Sequence, residues 1–100
     1  MPQKIIVYWR DIPAQVIIKA GRKNAKRQLP ERFEQAIDMA AMRSGASETD
    51  DYLADWRRAD PEDIAGDDIE ALADSEAASL DTTYDAERIK TLIANGGRAS

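Results

Sequence analysis

Cysteine and histidine are both absent from this 100-residue chain. Without them there is no disulfide, no thiolate nucleophile, no imidazole base and no zinc site of the common kinds. Long apolar runs are missing too. The longest, Ile5 to Trp9, spans five residues, far short of the roughly 20 that cross a bilayer as a helix. Met1-Pro2-Gln3-Lys4 leads straight into strand-like sequence without the apolar stretch and small-residue cleavage site of a signal peptide, so the expected location is cytoplasmic and no membrane association is expected. Aromatics are few at six residues, one of them phenylalanine, so each one placed in a core or on a surface carries weight.

Most of what remains is charged or aliphatic. A 43% apolar and 33% charged composition suits one modest core. We expect residues 1–97 to form a single α+β domain, with 98–100 as a frayed tail. Net charge is -5, but it is unevenly spread. Residues 1–43 carry nine Lys/Arg against four acids, a surplus of +5, while residues 44–100 carry five against fifteen, a balance of -10. Halves of opposite sign either neutralise each other within the fold or present two poles to partners, and linear order does not choose between these.

The organising stretch is KIIVYWRDIPAQVIIKA, residues 4–20. Two β-branched runs, Ile5–Trp9 and Val16–Ile18, flank a turn signal at Asp11-Ile12-Pro13 and predict an antiparallel β-hairpin. The segment Gly21–Gln28 is basic throughout. After it, Leu29, Phe33, Ala36, Ile37, Ala40 and Ala41 recur at helical spacing from Pro30 to Ser44-Gly45, and the small residues among them suit close packing across the hairpin's apolar face. Residues 47–60 read two ways. Ser47-Glu48-Thr49-Asp50 fits a capping box, whereas Tyr52, Ala54 and Trp56 alternate as in an edge strand. From Asp67 or Asp68, Ile69, Leu72, Ala73, Ala77, Leu80 and Tyr84 trace an acidic amphipathic helix. A kink is expected at Asp81-Thr82-Thr83, after which Ile89, Leu92 and Ile93 continue the stripe to Asn95-Gly96-Gly97. The predicted architecture is a hairpin, a third strand if residues 47–60 are extended, and two to three amphipathic helices covering it.

The basic segment is the leading candidate site. Lys19, Arg22, Lys23, Lys26 and Arg27, with Arg32 one turn into the following helix, would hold a carboxylate, a phosphate or an acidic protein surface, the helix start adding free N–H groups. The bland alternative is a solvated loop. Nucleic acid is disfavoured because acids outnumber bases in the whole chain. Trp9-Arg10 and Trp56-Arg57 repeat an indole followed by a guanidinium. Each Trp is either core, with its Arg facing water, or part of a docking patch. Acids between Asp50 and Asp68 lack the spacing of a calcium loop, and Met39 and Met42 are expected to finish the core or its edge. No pair of Asp, Glu, Lys or Tyr has catalytic spacing, so the expectation is a protein that is not an enzyme and needs no cofactor.

Three blocks, YWRDIPAQV at 8–16, GRKNAKRQLPERFEQAIDMAAM at 21–42 and YLADWRR at 52–58, resemble the small bacterial proteins labelled virulence factor, a domain also found at the end of the larger conserved virulence factor C. The resemblance covers nearly the whole chain. Members resemble accessory proteins encoded near folate- or corrinoid-dependent methyl transfer enzymes, which implies a helper in one-carbon metabolism that docks a larger protein. It supplies no functional residues to carry over. From the residues alone, a binder of a small anionic metabolite is the alternative.

Overall fold

The computed structural model describes residues 1–45 and 49–99. Its centre is an antiparallel sheet. Strand β1 (Gln3–Trp9) pairs with β2 (Ile12–Ala20), and β2 pairs on its other side with β3 (Lys23–Gln28). The second edge of β1 is shared by two short strands, β4 (Trp56–Arg58) along its Val7–Trp9 half and β5 (Glu62–Asp63) at Gln3–Lys4. Between them the Ala59 N–H donates to the Ile6 carbonyl oxygen at 2.9 Å. Asp60-Pro61 then interrupts the pairing, since proline has no N–H to donate.

The hairpin turn is tighter than the Asp11-Ile12-Pro13 signal implies. Arg10 and Asp11 form it, with Arg10 at φ 53, and Ile12 and Pro13 already belong to β2. A bulge between Val7 and Tyr8 leaves Ala14 unpaired on the opposite strand. Pro13 is tolerated there because the ladder is broken beside it and β3 does not reach that far.

The basic segment is not a loop. Gly21, at φ 62, and Arg22 make a turn, and Lys23–Gln28 is an edge strand. Only Ala25 of that strand is fully buried, which is why its sequence carries no strand signal. Residues 49–60 hold a helix and a strand, but the alternation of Tyr52 and Ala54 with Trp56 is not the strand, since Tyr52 and Ala54 are helical and only Trp56–Arg58 is extended. Helix α2 (Thr49–Ala54) is followed directly by β4. The capping box at Ser47 lies outside the described residues.

Helix α1 (Glu31–Arg43), with Pro30 as its N-cap rather than its first turn, buries Phe33, Ala36, Ile37, Ala40 and Ala41. It covers the turn end of the hairpin, where Trp9 and Ile12 are its partners, instead of lying across the whole apolar face. Helix α3 (Ile69–Thr83) takes the other face, closing Val16, Ile18 and Ala25 under Ala73. Asp68 caps it by accepting from the Glu70 and Ala71 N–H groups at 3.0 and 3.2 Å. What the sequence suggests as a kink is a true break. Tyr84 ends α3, and Asp85 caps α4 (Ala86–Ala94), whose Ile89 and Leu92 pack into the core with α1. After α4 the chain returns to the hairpin turn, where the Asp11 N–H donates to the Gly97 carbonyl at 2.8 Å and the Ala99 N–H to Asp11 Oδ2 at 2.6 Å. Met39 and Met42 are not core. They are 55% and 71% exposed, on the side of α1 that the sheet and α4 leave open. None of the described helices is long and apolar enough to cross a membrane.

Candidate functional site

The structure divides the cations singled out in the sequence into two groups. Four guanidinium groups are held by the protein's own acceptors. Arg10 donates to Asp55 Oδ2 at 3.0 Å and the Gly96 carbonyl at 2.6 Å while lying over the Trp9 ring. Arg27 reaches across to α3, bonding Asp74 Oδ1 at 2.6 Å and the Glu70 carboxylate. Arg32 binds Asp81 Oδ1 at 2.6 Å and the carbonyls of Asp81 and Tyr84 at 2.7 and 2.8 Å, stitching α1 to the negative end of α3. Arg57 donates to the Arg10 carbonyl at 2.9 Å and Asp11 Oδ1 at 3.2 Å, over the Tyr8 ring. Lys4 likewise meets Glu76 at 3.3 Å. The basic and acidic halves therefore neutralise each other at several points.

The second group is different. Lys19, Arg22, Lys23 and Lys26 are exposed and form no ion pair among the described residues. They sit at one corner of the sheet, on the end of β2, the Gly21-Arg22 turn and β3. Register places Lys19 opposite Asn24, and Lys26 opposite Ile17, on the sheet face away from α3. On the described residues β3 has no neighbour along its outer edge. Nothing on this corner has nucleophile-and-base geometry. Its chemistry is that of an acceptor-seeking surface: three flexible ammonium groups and one fork, beside unpaired strand N–H and C=O groups.

Trp9 and Arg10 do not join that corner. Trp9 is 0% exposed, so its indole offers nothing to a partner. Trp56 is half-buried and packs edge-on to Tyr52 at 5.9 Å. Arg27 and Arg32, engaged as above, are not free to complete an anion cradle with Lys26.

The fold also assembles a cavity from residues scattered along the chain. Val7, Gln15 and Gln28 are partners across β1, β2 and β3 and so form one row of the sheet. Together with Glu34 and Ile37 of α1, Tyr52 of α2 and Trp56 of β4, they line a cavity of about 200 Å³. Burial raises the Tyr52 phenol above its ordinary pKa, and the nearby carboxylates of Asp38 and Glu34 raise it further. The five polar and aromatic residues come from five elements, so no spacing in the chain signals them. Beside it, Asp38, Met42 and Tyr52 border a shallower depression. Among the described residues no cluster of three or more carboxylates is placed to hold a metal ion.

A family model described as "Virulence factor" matches residues 7–93. No curated protein and no solved structure matches the chain.

Proposed function

The chain belongs to the virulence-factor family, and from that premise we propose that it is a non-catalytic accessory module that docks onto an acidic surface of a larger protein through its cationic sheet corner. One contrast carries the reading. Among the described residues, Lys4, Arg10, Arg27 and Arg32 of the basic half are matched to the chain's own acids, while Lys19, Arg22, Lys23 and Lys26 form no ion pair and share one corner of the sheet; Arg43, also without an ion pair, stands apart at the end of α1. The chain has a surplus of acids, and among the described residues none of its exposed carboxylates pairs with these four cations. Such a patch steers an oppositely charged partner and fixes its register, and an edge strand offers it main-chain partners as well. The partner suggested by the family resemblance is an enzyme of folate- or corrinoid-dependent methyl transfer.

The test is quantitative affinity capture by the intact protein and by an Arg22→Glu/Lys23→Glu variant across a salt series. The expected result is a partner retained by the parent, lost with added salt and not retained by the variant, with the melting temperature of the variant nearly unchanged. Equal capture by both proteins removes the corner from consideration.

A further inference from the structure

The cavity between α1 and the sheet has a chemistry opposite to that of the cationic corner. Its floor presents two amides, Gln15 and Gln28, side by side on neighbouring strands. Neither side chain hydrogen-bonds to another described residue. Its walls are two aromatic rings, Tyr52 and Trp56, set at 82° to each other. At its rim stands Glu34, exposed and in no ion pair among the described residues. The aromatic wall is firmly placed. Tyr52 stacks on the buried Trp9, and its carbonyl accepts the Trp9 indole N–H at 2.8 Å.

A carboxylate and two π-faces make the lining electron-rich, and each of the two amides adds an acceptor oxygen and a donor NH2 group. An anion would meet Glu34 unscreened. A neutral apolar group would cover the half-buried Gln15 amide without giving it a partner, although Gln28 is exposed and keeps its water. An ammonium ion would be attracted, but its compact, strongly hydrated charge has three donors and no flat face. A guanidinium has five N–H donors in a rigid plane, stacks on an aromatic face and pairs with a carboxylate through two parallel bonds. The space, about 200 Å³, equals the liquid volume of roughly six or seven waters and accommodates that group with part of its alkyl stem. We propose that this cavity binds a guanidinium group, presented either by an arginine side chain of a partner or by a free alkylguanidine. The site adjoins the cationic corner, since Lys26 precedes Gln28 by two residues on the same face of β3, but Lys26 is not part of its lining, and the proposal stands whether or not that corner docks a protein. Arg58, opposite Val7 on β4 and so in the same row, is exposed at its outer end, where its charge disfavours an incoming cation.

The test follows the Trp56 indole N–H resonance of the intact protein during titration with agmatine, with N-acetyl-Gly-Arg-Gly-amide and with the same peptide carrying citrulline in place of arginine. Saturable shifts are expected with a dissociation constant on the order of 1 mM for so small a contact. Citrulline, equal in shape but uncharged, should shift nothing. Glu34→Gln should weaken binding about tenfold and Arg58→Ala should tighten it about twofold, both with parental melting temperatures. Binding of agmatine alone assigns the site to a free alkylguanidine, and binding of the arginine peptide assigns it to a partner's side chain. No saturable shift with either, equal binding of citrulline, or undiminished affinity in the folded Glu34→Gln variant overturns the proposal.

Discussion

Trp9 Nε1 donates to the carbonyl oxygen of Tyr52 at 2.8 Å across 43 residues of chain. That bond fastens the short helix α2 to the turn end of the hairpin and lets the Tyr52 ring stack on the indole. It satisfies the one polar atom of the largest side chain in the core. Trp9→Phe keeps an aromatic there but removes the donor and some volume. Equilibrium urea unfolding should show a loss of about 2 to 3 kcal/mol, and a loss below 1 kcal/mol would mean that the bond contributes little.

Gly97 packs its backbone against the same indole. A Cβ there would lie 2.7 Å from Trp9 Cζ3, at φ 92, whereas a Cβ on Gly45, at φ 76, would meet nothing within 4 Å among the described residues. Gly45→Ala should cost only the left-handed backbone penalty, about 1 to 2 kcal/mol. Gly97→Ala adds a collision with a side chain that has no room to move, and should cost about 2 kcal/mol more. Paired thermal melts measure the difference. Equal melting temperatures in the two variants would rule out the close approach.

Arg32 makes its bonds as a fork, to Asp81 Oδ1 and to two carbonyls at the end of α3. Lysine keeps the charge but not the plane. Arg32→Lys is therefore expected to destabilise by about 1 to 2 kcal/mol, read by chemical denaturation. The Asp81→Asn background should absorb much of the effect in a double-mutant cycle, and full additivity would argue against the pairing.

Two phenols titrate late. Burial is the main cause of the rise for Tyr8, with Tyr84 next, and burial again for Tyr52, followed by Asp38 and Glu34. A native phenol that keeps its proton above the unfolded value of 10.0 means that the folded state binds more protons than the unfolded state in that range. Stability from this source is complete below pH 10 and falls as pH rises through the raised folded values. Thermal melts from pH 8 to 11.5 should be flat and then decline, and the decline should diminish in Tyr8→Phe/Tyr52→Phe. Ultraviolet absorbance of the native phenolate should lag that of the unfolded chain, and coincident curves would contradict the assignment.

Some of these features are visible in the chain before it folds. The β-branched runs Ile5–Trp9 and Val16–Ile18 predict their strands because side-chain alternation is a property of neighbours. Phe33, Ala36, Ile37, Ala40 and Ala41 predict the buried stripe of α1 for the same reason, and Asp68 reads as the cap it is. The features that the chain does not announce have a common origin. Lys23–Gln28 is a strand by virtue of a partner, β2, that its own residues do not announce. Met39 and Met42 carry an apolar signature, yet the sheet is already covered by Phe33 and Ile37 and leaves them outside. The cavity rim is drawn from residues 15, 28, 34, 52 and 56, and no periodicity links them.

By itself the sequence determined the hairpin, the helices, the missing thiol and imidazole chemistry and the uneven distribution of charge. These depend on residue types and on neighbours a few positions apart. Tertiary structure decided which charges are used up. Arg27 takes Asp74 and Glu70, Arg32 takes Asp81, and Lys19, Arg22, Lys23 and Lys26 take none among the described residues. Coulomb attraction depends on distance in space, and any of the chain's 19 acids satisfies a base until packing has brought one of them within about 4 Å and carried the others away.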